Sequence, residues 1–301
     1  MNLVSIIRIP VPKEFDFSVN LDYLARSPNE CLYRIKDGKL YKSIPVGSET
    51  PLFEVSGDET GYLVVRSMDG DIDWNEEISG AITAYVREWF DLDNDLTPFY
   101  DLSRTDDILN GVVHRLYGLR NMGIPDLFEA LCWGIIGQQI NLAFAYTLKR
   151  RFVESFGRKV GHGDFACWLF PTPQDIASLS VSDIADLKMT TKKSEYLIGV
   201  ARLLVDGEIS KDKLLKAASF KDAEKMLVAI RGIGPWTANY VLMRCLRYPA
   251  AFPIDDVGLH NAIKSVLEMD KKPTVAHIRE LSAGWANWEA YATFYLWRVL
   301  Y

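Results

Sequence analysis

Two adjacent acidic residues, Asp255 and Asp256, follow a proline at the start of a predicted helix, within the segment Ala251–His260. One carboxylate is enough to cap a helix, so capping accounts for only one of the pair. A carboxylate held among apolar and aromatic residues is also a positioned anion. Such an anion stabilises a sugar that gains positive charge while its glycosidic bond breaks. The pair therefore indicates glycosyl chemistry, with helix capping as the alternative.

A tight turn, Gly232-Ile233-Gly234, lies upstream and separates two predicted helices, the second of which begins at Pro235. Proline suits the first position of a helix, and glycine lets backbone N–H groups approach a bulky anion. The start of a helix adds partial positive charge, so this turn could hold a phosphate group. A turn of this kind also serves as a plain connector between antiparallel helices, and the fragment alone leaves both possibilities open.

The charge of the chain is unevenly distributed. The net charge is −6, but residues 1–105 carry 10 basic and 19 acidic side chains, whereas the remainder carries 24 and 21. Around the glycine turn, residues 221–250 contain five basic and two acidic side chains, among them Arg231, Arg244 and Arg247. Because phosphate attraction depends on the local field, we expect this segment to favour a nucleic acid despite the acidic total.

The four cysteines, Cys31, Cys132, Cys167 and Cys245, are widely separated. No pair has the C-x-x-C spacing typical of zinc sites, and the clustered cysteines of an iron–sulfur site are missing. No apolar run reaches the roughly 18 residues that a membrane helix needs, and the first residues lack the pattern of a signal peptide. We therefore expect reduced thiols and a cytoplasmic location, with the protein on the nucleoid if the source is bacterial.

Turn signals and short apolar runs dominate the first hundred residues. Val4–Ile9 is a predicted strand, Asp37-Gly38 and Gly57–Gly61 are predicted hairpin turns, and Ile78–Phe90 has helical spacing. Acidic residues at Asp91–Asp95 mark a linker. The prediction is an α+β domain with an antiparallel sheet over residues 1–105.

Helical patterns fill the rest of the chain. Leu127–Phe156 is predicted as one long helix and Val275–Tyr301 as another. Glycines and prolines separate the shorter helices between them. The sequence therefore predicts an all-α domain over residues 106–301.

Several motifs together resemble the helix-hairpin-helix glycosylase superfamily, which carries a Gly/Pro-Asp loop. They are the glycine turn with the following Pro235-Trp-Thr-Ala-Asn-Tyr240, the aspartate pair, Ile135-Ile-Gly-Gln-Gln-Ile140, Phe170–Gln174 and Tyr291–Trp297. Within the superfamily the sequence is most similar to the alkylation-repair branch, the 3-methyladenine DNA glycosylase II type. The resemblance covers about residues 105–301.

This resemblance implies an enzyme that flips an alkylated purine out of double-stranded DNA and hydrolyses its N-glycosidic bond. It makes Asp256 the catalytic carboxylate and gives Asp255 a structural, capping role. Family members that also nick the backbone carry a nucleophilic lysine at the position of Trp236, so no Schiff base is expected and the enzyme should be monofunctional. His260 could orient a water molecule, although an exposed or capping role is the commoner one for such a histidine.

The resemblance also assigns binding residues. Trp236, Tyr240 and Trp297 match positions in the base pocket, where aromatic rings attract a cationic base. Gln139 matches the wedge that fills the gap left by the flipped base, although an apolar wedge is typical of this branch. Gly232, Ile233 and Gly234 form the phosphate-binding hairpin. The backbone carbonyls that would hold a structural Na⁺ or K⁺ are those of Val228, Ile230 and Ile233.

We expect no other cofactor, and we expect a monomer. Two alternatives remain open from the sequence. One is a glycosylase for an oxidised base such as 8-oxoguanine, and the other is a non-catalytic helix-hairpin-helix DNA-binding module. The tryptophan at position 236 argues against the first, and the aspartate pair argues against the second.

Overall fold

A computed structural model describes residues 5–70, 72 and 74–300. Its N-terminal part contains a five-stranded antiparallel sheet. The five strands are β1 (Ile6–Pro10), β2 (Tyr33–Lys36), β3 (Lys39–Ser43), β4 (Leu52–Gly57) and β5 (Tyr62–Ser67). Their order across the sheet is β1-β5-β4-β3-β2. Two helices accompany the sheet, α1 (Phe17–Leu24) and α2 (Glu76–Trp89). The antiparallel sheet and the helix predicted near residues 78–90 are confirmed, while Val4 of the predicted first strand lies outside the described residues.

The hairpin between β2 and β3 shows how the sequence dictates a turn. Asp37 and Gly38 both have positive φ angles, 52° and 70°. Two positive φ values in succession give the type I′ turn, whose twist matches that of the flanking strands. The Asp-Gly pair therefore fixes the register of the hairpin, in which Lys36 faces Lys39.

The rest of the chain is helical apart from one small ribbon. The helices are α3 (Thr97–Ser103), α4 (Asn110–Arg115), α5 (Leu127–Ile136), α6 (Leu142–Phe156), α7 (Pro173–Ala177), α8 (Val181–Ala185), α9 (Thr191–Val205), α10 (Lys211–Leu215), α11 (Phe220–Val228), α12 (Pro235–Arg244), α13 (Val257–Val266), α14 (Val275–Leu281) and α15 (Glu289–Trp297). Short 3₁₀ turns occur at Gly163–Phe165 and Ala283–Trp285. The ribbon, which the all-helical prediction missed, pairs β6 (Arg158–Val160) with β7 (Cys167–Leu169).

Two predicted long helices are interrupted. The helix predicted over Leu127–Phe156 ends at Ile136, and α6 begins only after Asn141, whose side chain accepts a hydrogen bond from the N–H of Phe144 at 2.9 Å. Between them Gln139 has a φ of 57°, which a right-handed helix cannot accommodate. The helix predicted over Val275–Tyr301 likewise splits into α14 and α15. The apolar pattern of the sequence did not reveal these breaks, because the helices on both sides of each break bury the same kinds of residue.

A buried network ties the two parts of the chain together around Asp91. Arg247 pairs with its carboxylate at 2.9 Å, the Tyr291 hydroxyl donates to it, and the fully buried Arg120 donates to its backbone carbonyl. Burial raises the pKa of Asp91, but Arg247 and Tyr291 outweigh it and bring that pKa below its ordinary value. A single apolar core also contains residues from both parts. The domain boundary at residue 105 stays a prediction.

Candidate active site

An aromatic cleft of about 370 Å³ opens among α1, the turn between α5 and α6, α12, α13 and α15. This volume lies within the range of small-molecule pockets. The aromatic and aliphatic residues that line it include Tyr23, Trp133, Ile140, Trp236, Tyr240 and Trp297. Asp256 is the one carboxylate among its described lining residues. The cleft thus combines flat apolar surfaces with one carboxylate and the side chains of three arginines, Arg26, Arg244 and Arg298.

Three N–H groups hold the Asp256 carboxylate. As the N-cap of α13, its Oδ1 accepts the backbone N–H of Leu259 at 2.7 Å and the indole N–H of Trp297 at 2.8 Å. Its Oδ2 accepts the indole N–H of Trp236 at 2.8 Å. Since all three partners are donors, the arrangement suits a carboxylate, which only accepts. The side chain is therefore fixed before any ligand arrives.

The capping role predicted for Asp255 belongs to Asp256 instead. Asp255 is exposed in the turn that precedes α13. A hydrogen bond of 2.9 Å from the N–H of Asp256 to the carbonyl of Pro253 stabilises that turn. Asp256 is therefore the last residue before the helix. A ring nitrogen of His260 lies 2.8 Å from the carbonyl oxygen of Ile254 and also holds this loop. One residue therefore serves both as the cap and as the charge in the cleft.

The three aromatic residues predicted for the base pocket lie together beside this carboxylate. The rings of Trp236 and Tyr240 are stacked with centroids 5.7 Å apart, and those of Tyr240 and Trp297 are 6.1 Å apart. Burial raises the pKa of the Tyr240 phenol, whose oxygen accepts a hydrogen bond from Arg244 at 3.1 Å. The structure thus brings all three residues into one wall of the cleft.

Sequence reasoning missed cleft residues that come from distant segments. Tyr23 and Arg26, at the end of α1, reach the cleft from the N-terminal part, and Trp133 reaches it from α5. The Arg26 guanidinium lies over the Tyr23 ring, 3.8 Å from its centroid. No spacing rule links these residues to the aspartate motif, because only the packing of the sheet-bearing part against the helices brings them there.

The prediction of a basic surface around the hairpin is partly wrong. Arg244 is buried, and its Nε donates to the carbonyl of Met122 at 2.7 Å. Arg247 is engaged with Asp91. Arg231 is exposed but pairs with Glu195 at 2.7 Å. A count of charged residues along the chain could not show which side chains point inward.

The glycine turn has two glycines in different roles. Gly232 has a φ of 94°, and a Cβ there would collide with the Tyr196 ring. Gly234 has a φ of −89° and open space where a Cβ would lie, and it forms the N-cap of α12 with no capping side chain. Ile230 and Ile233 are both buried beneath the turn. Gly232 is thus required by packing, whereas Gly234 leaves the start of α12 open.

The turn between α5 and α6, residues 137–141, is called the wedge turn here. Gln139 is exposed in it, and its side chain forms no hydrogen bond within the described part of the chain. Its neighbour Gln138 points the other way and binds the glycine turn. Gly137, Ile140 and Asn141 of the wedge turn line the cleft, whereas Gln139 lies outside its lining. The wedge role of Gln139 stays a prediction.

Of the carbonyls predicted to hold a monovalent cation, that of Ile233 lies in the glycine turn, whereas Val228 ends α11 and Ile230 lies between α11 and the turn. The Ile230 carbonyl accepts the N–H of Ile233 at 3.0 Å. A carbonyl oxygen has two lone pairs, so this one can still face a cation. Among the described residues, no group of three or more His, Cys, Asp or Glu side chains could hold a metal ion. None of the described helices is long and apolar enough to cross a membrane.

Family models and relatives agree with this geometry. Residues 132–287 match the model of the HhH-GPD superfamily of base excision DNA repair proteins, and residues 17–131 match that of the 8-oxoguanine DNA glycosylase N-terminal domain. The chain is 53% identical to a DNA-3-methyladenine glycosylase of Bacillus subtilis (strain 168), over 98% of this chain and 97% of that protein. It is 30% identical to DNA-3-methyladenine glycosylase 2 of Escherichia coli (strain K12), over 94% and 93% of the two chains.

The fold is also found among solved structures. The 3-methyladenine DNA glycosylase of Archaeoglobus fulgidus superposes with a TM-score of 0.81 at 21% identity, covering 98% of this chain and 97% of that one. At this identity the likeness concerns the fold. The sheet, the helix pair around the glycine turn and the aspartate loop define a helix-hairpin-helix protein with a Gly/Pro-Asp loop. The chain belongs to the HhH-GPD superfamily of base excision DNA repair proteins.

Proposed function

We propose that this protein is a monofunctional DNA glycosylase that removes alkylated purines from double-stranded DNA, with Asp256 as its catalytic carboxylate. The observation that carries the proposal is the Asp256 carboxylate, fixed by the indoles of Trp236 and Trp297 inside an aromatic cleft. The names of the relatives in Bacillus subtilis and Escherichia coli support the same substrate class.

The charge of the substrate explains why one carboxylate suffices. A purine alkylated at N3 or N7 carries a positive charge, so when the bond to C1′ breaks and its electron pair moves to the base, a neutral base leaves. No general acid has to protonate it. The positive charge then resides on the sugar, where the nearby Asp256 carboxylate stabilises it. A water molecule adds its oxygen to C1′ and gives up one proton, which completes the hydrolysis.

The aromatic wall accounts for recognition. Trp236, Tyr240 and Trp297 present ring faces on which an extruded base can stack, and a positively charged base gains cation–π attraction there. The same attraction weakens when the neutral product forms, which favours product release. Because Trp236 stands where a lyase needs an amine, the site has no nucleophile for a Schiff base at that position.

The glycine turn accounts for docking on the duplex. The open start of α12 at Gly234 can receive a phosphate group, and such contacts position a protein on DNA without selecting bases. We propose further that the carbonyls of Val228, Ile230 and Ile233 hold a Na⁺ or K⁺ ion, which would add positive charge at the same turn. The protein would act as a monomer, since one cleft and one turn serve one lesion.

The test measures released bases. Wild-type protein is incubated with DNA methylated by dimethyl sulfate, and the released bases are separated and identified. We expect 3-methyladenine and 7-methylguanine, together with abasic sites and intact strands. Borohydride should trap no covalent complex with abasic-site DNA, whereas a bifunctional lyase run in parallel should be trapped.

Two other outcomes would overturn the proposal. Release of 8-oxoguanine from an 8-oxoguanine·cytosine duplex, without release of methylated bases, would favour the oxidised-base alternative that the N-terminal family match suggests. Tight binding to methylated DNA without release of any base would identify a non-catalytic DNA-binding module.

A further inference from the structure

Gln138 occupies the junction between the wedge turn and the glycine turn. Its Nε2 donates to the carbonyl oxygen of Gly232 at 2.9 Å and to the hydroxyl of Thr237 at 3.0 Å. These two acceptors lie on either side of the start of α12. A single amide group therefore binds both the glycine turn and the first turn of α12.

The surrounding residues pack α5 and the wedge turn closely against α12. Gly134 lies four residues before Gln138, and a Cβ there would come within 2.6 Å of the Thr237 methyl carbon, so α5 and α12 are in close contact. On the other side, the buried Lys193 donates to the carbonyl of Ile136 at 2.7 Å and closes the end of α5. Burial lowers the pKa of the Lys193 amine. The wedge turn is thus fastened at its base while its tip, Gln139, stays exposed.

The junction also leads towards the carboxylate. Thr237 directly follows Trp236, whose indole donates to Asp256. Gln138 therefore connects the tip that should enter the DNA stack, the turn that should hold the phosphate and the residue that holds the carboxylate. Gln138 itself is absent from the lining of the cleft.

We propose that Gln138 is a positioning residue that couples the wedge turn to the phosphate-binding hairpin, so that docking on the backbone places Gln139 at the lesion. This inference rests on the proposed glycosylase function. Base extrusion needs the gap to be filled while the hairpin stays on its phosphate, and a misplacement of about 1 Å can cost up to about 100-fold in rate. In this arrangement Gln138 sets the position of the wedge turn, and Gln139 fills the gap left by the extruded base.

The test uses Gln138→Met, which keeps the length of the side chain and removes its donors. The matched control is Gln174→Met, the same change at an exposed position of α7. Single-turnover excision is measured on two duplexes, one with 7-methylguanine opposite cytosine and one with 7-methylguanine opposite a tetrahydrofuran abasic analogue. The second duplex has no base pair to break, so extrusion costs less there.

The variant should lose about tenfold in rate on the paired lesion. On the unpaired lesion it should stay close to wild type, as should its affinity for undamaged duplex and its thermal melting temperature. An equal loss on both duplexes would show a general defect of the site, and an unchanged rate on the paired lesion would show that Gln138 is dispensable. Either result would overturn the proposal.

A second measurement does not depend on excision. A duplex with 2-aminopurine beside a tetrahydrofuran site reports local unstacking by its fluorescence when the protein binds. Wild type and Gln174→Met should give the same increase, and Gln138→Met a smaller one at saturating protein. An increase equal to that of wild type would reject the coupling role, even if the wild-type protein released no methylated base and the proposed function failed.

The partner residue offers an independent check. Thr237→Val removes one acceptor of the Gln138 amide and retains the methyl group that packs against Gly134. If both residues act through their mutual hydrogen bond, the double variant should lose less rate on the paired lesion than the product of the two single losses. Fully multiplicative losses would contradict the coupling through Thr237.

Discussion

The two sides of the cleft are built in opposite ways. On one side, Asp256 uses both carboxylate oxygens as acceptors and is fixed by Trp236, Trp297 and its own helix. On the other side, the tip of the wedge turn, Gln139, has a positive φ and no side-chain partner in the described part of the chain. The neighbouring Gln138 is anchored, since its amide donates to the Gly232 carbonyl and to the Thr237 hydroxyl.

The difference follows from what each side has to do. A charge that stabilises a transition state works best when it is already oriented, because no energy is then spent on reorganisation during the reaction. A group that enters the DNA stack must leave water for the duplex, and hydrogen bonds to its own protein would have to break first. Fixed contacts therefore suit the carboxylate side, and a free tip on an anchored base suits the wedge side.

The largest effect is expected when the charge is removed from the fixed side. Asp256→Asn keeps the shape and the helix cap, since asparagine caps about as well as aspartate. Single-turnover release of 7-methylguanine should fall by about 100-fold or more, because one charged group opposite the sugar is lost. Affinity for duplex DNA should be unchanged or higher, since an anion near the phosphates is removed.

Asp255→Asn is the matched control for this prediction. It makes the same change one residue earlier, at an exposed position without a role in the cleft. Its excision rate should remain near that of wild type. Near-normal turnover by Asp256→Asn, or an equal loss in both variants, would remove Asp256 from the catalytic role.

The second effect concerns the indole donors. Trp236→Phe and Trp297→Phe each keep an aromatic ring and remove one hydrogen bond to Asp256. A hydrogen bond to a charged group contributes about 1.5–3 kcal/mol, so each variant should lose about tenfold or more in the rate of base release. Trp168→Phe, in β7 and outside the cleft, is the control and should leave the rate unchanged.

The rate and the affinity must be separated in this experiment. Loss of the donor should lower the single-turnover rate at saturating enzyme, while loss of stacking alone should raise the enzyme concentration that gives half the maximal rate. If the indole variants change only the half-saturating concentration, the indoles serve as stacking surfaces and do not orient the carboxylate.

The third effect distinguishes the two glycines of the hairpin. Gly234→Asp puts a side chain and a negative charge into open space at the start of α12, where a phosphate is proposed to lie. Affinity for damaged and undamaged duplexes should fall alike, by about 1–3 kcal/mol, because phosphate contacts do not distinguish bases. Folding should be little affected, since the φ of Gly234 is negative.

Gly232→Ala should behave differently. Its Cβ would collide with the Tyr196 ring at a φ of 94°, so we expect the free energy of unfolding to fall by about 1–3 kcal/mol. Urea unfolding measures this directly.

A folded Gly234→Asp protein with wild-type affinity and salt dependence would show that the hairpin is only a connector.

How far the sequence alone leads depends on whether residues lie on one continuous segment. Trp236, Tyr240 and Asp256 follow one another along the hairpin and its loop, so a motif can indicate that they belong together. Tyr23 and Arg26 reach the cleft only because the sheet-bearing part packs against the helices. Their contribution depends on tertiary packing, which no local spacing encodes.

The sequence also could not show which way a charged side chain points. Arg244 and Arg247 count as positive charge near the hairpin, but the first is buried against the carbonyl of Met122 and the second pairs with Asp91. The break of the predicted helix at the wedge turn was missed for a similar reason. A left-handed residue such as Gln139 has no strong sequence signal, because glutamine is common within helices.

The smallest effect is expected at the free tip itself. Gln139→Ala removes both the bulk that fills the gap and the amide that could bind the orphan base, whereas Gln139→Leu keeps the bulk. Because the tip has no partner inside the described part of the protein, neither change should alter folding beyond about 0.5 kcal/mol. On 7-methylguanine paired with cytosine, the alanine variant should be slower by several-fold and the leucine variant should fall between it and wild type. With an abasic analogue opposite the lesion, where no orphan base remains, the leucine variant should match wild type. Equal rates for wild type and the alanine variant on the paired lesion would show that another residue fills the gap, and the contrast between a fixed and a free side of the cleft would then lose its functional meaning.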